Sequence, residues 1–291
     1  TFENNFMHLA QQKDSKLLGS PAISMMPVKG TSNLSRIGRT ELDEITGIRN
    51  PVSTPESMDN DNRQAKFRRF YKSYLVDNYD AVIRMITDPT SALFANLLYA
   101  KKRTTDRVIV DAATGTVLIG RPDRQATELS AADDGVLTIT GTTNFDYANV
   151  VTVAERNFKN NEVGEGSITF AITANEEYLL KQEDKFINND YTQYKQVDKR
   201  NVDSVGGYNV VCFAGTKTGV STINKPVLPE SGGTRKCVLM ADDAIGFGME
   251  IGAFDVRKAA GHVNSWEIIL EVYFKALRKE GQRVQIVTAT V

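Results

Sequence analysis

Apolar and polar positions along this chain follow two rhythms, and the stronger one is helical. Leu93, Phe94, Leu97, Leu98, Val108, Ile109 and Ala112 recur mostly at spacings of three and four, which marks one buried face of a helix. Asp88 precedes them as an N-cap, Pro89 suits the first helical position and Gly115 supplies a stop. The pattern predicts a helix over about 89–113, roughly 36 Å long at 1.5 Å per residue and about twice the usual length. Lys101, Lys102 and Arg103 form a basic cluster at its middle.

The second rhythm is the period of two expected of strands. Ile168, Phe170 and Ile172 alternate, and strands are predicted at Tyr208–Ala214, Lys236–Ala241 and Ile245–Ile251. Near the end, Trp266, Ile268, Leu270, Val272 and Phe274 share one face. Arg278 to Gln282 reads as a turn, with Val284 and Ile286 on a returning strand, so a closing hairpin is expected. Between these stretches, 113–143 reads as turn-rich strand. A second helix is expected from near Asn144, with Tyr147, Val150, Val151, Ala154 and Phe158 on one face. A third follows Asn175-Glu176-Glu177 and runs to about Ile187. The interleaving predicts a mixed α+β class.

Two stretches contain too little apolar material to fold alone. Residues 1–27 scatter Phe2, Phe6, Leu9, Leu17 and Leu18 among polar residues, with Pro21 and Pro27 interrupting any helix. They read as an arm whose apolar side chains are covered elsewhere. Residues 28–76 form a long excursion punctuated by Gly30, Gly38, Gly47, Pro51 and Pro55, with a polar tip over 50–62. Its return limb interleaves aromatic and basic residues: Phe67, Arg68, Arg69, Phe70 and Tyr74. A structureless loop of that length counts against a compact monomer, and it makes sense if another molecule completes its core.

Composition changes this picture little. The 291 residues are 41% hydrophobic and 24% charged, with a net charge of −1, so no global field draws the chain onto nucleic acid. Residues 1–110 hold 16 Lys+Arg against 12 Asp+Glu, a mild polarity. There is no apolar run of membrane-spanning length and no signal-peptide pattern at Thr1–Ala10.

Candidate chemistry is sparse. Cys212 and Cys237 lie in apolar contexts and read as core residues. His8 and His262 lack partners at ligand spacing. Gly246, Gly248 and Gly252 depart from the dinucleotide fingerprint, and close strand packing explains them better; Gly206-Gly207 reads as a strand-entry turn. Asp59-Asn60-Asp61-Asn62 lacks the sixth-position glycine and twelfth-position glutamate of a calcium loop. No catalytic, cofactor or metal site is assigned. An enzyme is therefore disfavoured, and an adhesin or tail component is a weaker alternative.

The order of elements carries more information. A long helix ending in Asp106-Arg-Val-Ile-Val-Asp-Ala-Ala-Thr-Gly-Thr116 follows an arm and a long loop. Next come Ser167-Ile-Thr-Phe-Ala-Ile-Thr-Ala-Asn-Glu-Glu-Tyr-Leu-Leu180, Val205-Gly-Gly-Tyr-Asn-Val-Val211 and Lys236-Cys-Val-Leu-Met-Ala-Asp-Asp-Ala-Ile-Gly246. This order resembles the major capsid proteins of tailed bacteriophages with the Hong Kong 97-type fold. The resemblance implies an N-terminal arm (1–27), an extended loop (28–76) and a peripheral domain with the spine helix (77–125). It further implies an axial domain (126–255) and a hairpin returning from the peripheral to the axial domain (256–291). It implies no enzymatic activity but self-assembly into pentamers and hexamers, forming an icosahedral or prolate head around double-stranded DNA that is touched non-specifically on the inner face. Implied partners are the portal protein and separate scaffolding and cement proteins, with no membrane; the implied place is the virion capsid, assembled in the host bacterial cytoplasm. An encapsulin-like nanocompartment is the alternative within the same architecture. Phe67, Arg68, Arg69, Phe70, Tyr74, Lys101, Lys102 and Arg103 are the expected subunit contacts. The cross-linking chemistry of some relatives is not carried over to Lys29 or Lys66.

Overall fold

The computed structural model describes residues 11–28, 33–42, 44, 60–77, 89–120, 126–140, 145–163, 166–183, 202–215, 226–261 and 265–290. The Asp88 cap, both histidines, Lys29, the loop tip over 50–59 and the expected start at Asn144 lie outside them.

The predicted long helix is present as α1, Pro89–Thr114, 26 residues and thus about 39 Å long. From Leu93 to Thr114 every residue is buried or half-buried, because α1 is covered on more than one side. One side packs on a four-stranded sheet. That sheet contains β1 (Ile23–Met25), β4 (Lys66–Asp77), β13 (Ile245–Lys258) and β14 (Ser265–Arg278), in the order β1-β13-β14-β4. The even positions of β14 face the helix. Ile268, Leu270, Val272 and Phe274 are buried there, and Phe70 of β4 meets Phe274 edge-on at 5.5 Å.

A seven-stranded sheet holds most of the remaining core. Its path runs β7 (Leu137–Thr140), β15 (Val284–Thr290), β12 (Thr234–Met240), β8 (Thr169–Thr173), β10 (Tyr208–Phe213), β9 (Ser204–Val205), with β11 (Glu230–Ser231) pairing beside β12. The expected alternation at 168–172 becomes a strand buried at every position, because β8 is central and covered on both faces. Gly206 and Gly207 join β9 to β10 with φ of 56° and 83°, the left-handed pair that a two-residue hairpin turn requires. Before β8, a turn of π-helix at Tyr147–Val151 leads into α2, Thr152–Asn160, and Asp146 supplies the N-cap. After β8, α3 spans Ala174–Lys181 with a Thr173/Glu176 capping box; the expected extension to Ile187 fails at 181, where the helix ends.

A smaller sheet, β2 (Asn33–Ile37), β3 (Asn60–Gln64), β5 (Val117–Ile119) and β6 (Thr127–Leu129), is ordered β2-β3-β5-β6. It forms the base of the long loop.

Three expectations are corrected. The closing hairpin is absent, for β14 pairs with β13 and β4 while β15 pairs with β12 and β7. Alternation identifies a strand's faces but not its neighbours, and the turn Gly281–Arg283 sends the chain into the other sheet. The same junction carries the crossing from β12 to β13, and the two crossings bond through Ala241 N–H to Arg283 O at 2.9 Å and Lys279 N–H to Ala244 O at 2.9 Å. Second, the return limb of the loop is not free: β4 pairs with β14 from Lys66 to Asp77. Third, β13 runs unbroken through the division expected at 255–256.

The glycine positions in β13 have a packing cause. A Cβ on Gly246 would lie 2.2 Å from Met26 Sδ, and one on Gly248 2.7 Å from Met26 O, since β1 runs parallel alongside with Met25 opposite Phe247. Backbone cannot yield as a flexible side chain can. Gly248→Ala should therefore cost about 1–3 kcal/mol through overpacking, read as a lower urea midpoint at unchanged slope. An unchanged midpoint would show that β1 shifts freely.

Candidate functional site

The arm expected to lack partners on its own chain has them over its described part. Leu17 and Ala22 are fully buried in the main core. The anchor is Asp106, itself buried, at the middle of α1. Its carboxylate accepts from Gln12 Nε2 at 2.5 Å, Ser15 Oγ at 2.5 Å, Lys16 N–H at 3.1 Å and Leu17 N–H at 3.2 Å. Charge-assisted bonds of this kind are stronger than neutral ones, and here they satisfy two backbone donors. The sparse apolar content of the arm thus suffices, because one side chain orders the turn around Leu17.

The loop is tied to the body by a second buried carboxylate. Asp134, in the turn before β7, accepts from both Arg63 Nη2 and Nη1, the latter at 3.0 Å, and from Arg278 Nε at 2.7 Å. All three side chains are at most 1% exposed. Arg278 Nη1 donates to Ala113 O at 2.8 Å and Gly115 O at 3.0 Å, at the negative end of α1. Burial pushes the Arg278 guanidinium pKa down, and Asp134 opposes that shift. The cluster joins the loop sheet through Arg63, the helix end and β14 through Arg278, and the seven-stranded sheet through the turn at Asp134. A comparable buried pair, Arg235–Glu176 at 2.7 Å, fixes β12 to the start of α3.

Of the expected contact residues, Phe67 stands exposed with Lys275 Nζ 4.7 Å from its ring centroid. Arg68 pairs with Asp111 at 2.9 Å and Arg69 with Glu271 at 2.7 Å; the Arg69 hydrogen bond holds the Glu271 carboxyl below its usual range. Phe70 and Tyr74 are corrected as free anchors, because both pack against the chain's own core. They occupy even positions of β4, on the side of α1. Lys102 pairs with Asp14 at 2.5 Å, and Arg103 donates to Gln11 Oε1 at 2.5 Å, so these two hold the arm. Lys101 is half-buried beside Ala100 and Thr104.

Sequence reasoning missed Tyr71 and Leu75, which are 77% and 52% exposed on the opposite face of β4. Among the described residues, α1 is the helix that packs on this sheet, and it lies on the other face. The face bearing Tyr71 and Leu75 forms an open trough lined by Arg69, Tyr71, Ser73, Arg257, Ile269 and Glu271, among others. Strand parity contained the signal: Phe67, Tyr71 and Leu75 share odd positions, whereas Phe70 and Tyr74 share even ones. Such large side chains left in water suit contact with another molecule. Among the described residues, no three His, Cys, Asp or Glu side chains cluster in a manner fit for a metal ion, and no helix is long and apolar enough to cross a membrane.

Comparison with known proteins follows the fold. No curated protein sequence matches the chain. Among solved structures, a chain of Mycobacterium phage Che8 superposes with a TM-score of 0.71 at 12% identity, over 99% of this chain and 95% of that one. The capsid structure of the cyanophage P-SCSP1u gives 0.67 at 11% identity, over 100% and 93%. Gordonia phage Cozz gives 0.66 at 13%, over 100% and 90%. The fold is thus that of phage capsids of the Hong Kong 97 type. A family model described as phage capsid protein matches residues 1–291, and the chain therefore belongs to the phage capsid protein family.

Proposed function

We propose that this chain is the repeating subunit of a phage head shell, a major capsid protein that assembles with copies of itself into pentamers and hexamers around double-stranded DNA. The family match along the whole chain carries the reading. The physical support is a body whose loop base and arm are each fixed by a buried carboxylate, which presents a rigid rather than pliant surface to neighbours. In this reading residues 1–27 are the arm and 28–65 the extended loop. The four-stranded sheet with α1 is the peripheral domain, including β4 and β13 and completed by β1 from the arm, and the seven-stranded sheet is the axial domain. The portal protein, separate scaffolding and cement proteins, and non-specific DNA contact on the inner face belong to the same proposal, with assembly in the host cytoplasm and a structural rather than enzymatic role. A nanocompartment enclosing protein cargo is not favoured, since the matches are to phage capsids.

Electron microscopy of the purified protein tests the reading: closed shells support it, while filaments, tubes or a monomer with catalytic turnover overturn it. The odd face of β4 supplies a sharper test, because its large side chains contribute little to the monomer. Replacing Tyr71 and Leu75 together by Asp should change monomer stability by no more than about 1 kcal/mol, in the range of exposed sites. Particle yield should fall at least tenfold. Normal particles from that variant would remove the odd face from the contact.

A further inference from the structure

A cavity of about 310 Å3 opens where the loop sheet, the end of α1 and the end of β14 meet, at the lower end of the range for small-molecule sites. Its walls are of two kinds. Val108, Ala112, Val117 and Leu118 supply an apolar side, while Gln64, Arg68, Asp111, Thr116 and Arg278 supply a polar one. The Asp134 cluster fixes the elements that enclose it, so the space is preformed.

The polar side is short of negative charge, because each carboxylate there serves two guanidinium groups. Asp134, in contact with Arg278, is shared between Arg278 and Arg63. Asp111 pairs with Arg68 at 2.9 Å. Burial lowers the pKa of Arg107, one turn earlier on α1, and Asp111 opposes that shift too. Arg278 Nη2 is buried without a hydrogen-bond partner among the described residues, an arrangement that costs stability until an acceptor arrives. Arg278 Nη1 already occupies the carbonyls of Ala113 and Gly115, which shields an incoming anion from the negative end of the helix. The Arg68 side chain is 43% exposed, and an exposed ion pair of this kind exchanges partners at little cost.

We infer that this cavity binds a small organic acid, with its carboxylate between Arg68 and Arg278 and its apolar body against Val108, Ala112 and Leu118. Guanidinium groups match a planar carboxylate in shape as well as charge. An inorganic anion leaves the apolar wall wet, and an uncharged ring leaves the guanidinium groups without an acceptor. The site is complete within one chain and does not depend on the shell reading. Its occupant would brace the junction between the loop sheet and the helix end.

Benzoate, inorganic phosphate and benzyl alcohol, each titrated calorimetrically into the full chain, provide the test. Benzoate should bind once per chain with a dissociation constant of about 1 mM or tighter. Saturating benzoate should also raise the urea midpoint, as a ligand of the folded state does. Phosphate lacks the apolar body and benzyl alcohol lacks the charge, so each should bind at least tenfold more weakly. Arg68→Gln, at an exposed position, should weaken benzoate at least tenfold through loss of a charge-assisted bond. Ala112→Leu keeps both guanidinium groups but fills the space, and should weaken benzoate as strongly. No saturable benzoate binding, or binding that either folded variant leaves unchanged, would overturn the inference. Equal affinity for phosphate would reduce the site to a bare cationic patch and overturn it as well. Assembled particles should still take up benzoate; loss of binding on assembly would mean that a neighbouring copy fills the cavity, and the small-molecule assignment would fall while the shell function stood.

Discussion

Asp134→Ala should destabilise the monomer by about 3–5 kcal/mol, because it leaves two guanidinium groups buried around a vanished counter-charge. Arg63 and Arg278 both lie in the cluster with no exposure, so water cannot replace the carboxylate without opening the junction of three sheets. Against a total stability of about 5–15 kcal/mol, the loss threatens folding at ordinary temperature. The ordering of variants separates charge from packing. Arg278→Ala should cost somewhat less than Asp134→Ala, since it abandons the carbonyls of Ala113 and Gly115 but leaves the Arg63–Asp134 pair. Arg63→Met should cost least, for Asp134 keeps Arg278 Nε at 2.7 Å and Arg278 keeps the helix-end carbonyls. Urea unfolding of the three variants reads the order from midpoints at constant slope. If Asp134→Ala costs less than about 1 kcal/mol, the cluster is hydrated and the loop is held by β-pairing alone.

Why the sequence revealed α1 but not this cluster is a matter of range. The helix is written in local spacing: seven apolar positions, a proline at one end and Gly115 at the other, where a Cβ would lie 2.6 Å from Asp111 O. Strand faces were equally legible, since burial on β14 alternates through Ile268, Leu270, Val272 and Phe274. Partnership was not. Asp133-Asp134 looks like an ordinary acidic turn, and nothing nearby in sequence indicates that Asp134 meets residues 71 positions before it and 144 after it. The missing closing hairpin has the same origin. Gly281 sits where a Cβ would fall 1.9 Å from Asp134 O, so the contact that turns β15 into the other sheet involves a residue nearly 150 positions away. The exposed pair Tyr71 and Leu75 was within reach, because parity along β4 separates it from Phe70 and Tyr74; choosing which parity faces water required knowing where α1 lies.

Asp106 offers the second large effect, and it bears on how the arm is presented to other copies. Set between Thr105 and Arg107, the carboxylate reads as one more polar position of α1, and its purpose appears only with residues 12–17 in place. Asp106→Ala removes four acceptor contacts at once. It strands Lys16 N–H and the buried Leu17 N–H, each costing about 1–3 kcal/mol when left unsatisfied, so a total loss of about 2–6 kcal/mol is expected. The arm should loosen before the body does, because the sheets do not depend on Asp106. Amide exchange should accelerate at Lys16 and Leu17 while β8 and β12 keep their protection, and trypsin should cut sooner at the exposed Lys13 and Lys16. Asp106→Asn, which keeps an acceptor oxygen but no charge, should fall between the parent and the alanine variant. Uniform loss of protection across the core would mean that the turn around Leu17 is integral to the fold. Selective loss would make Asp106 the residue that determines whether the arm lies on its own subunit or is free to reach a neighbour.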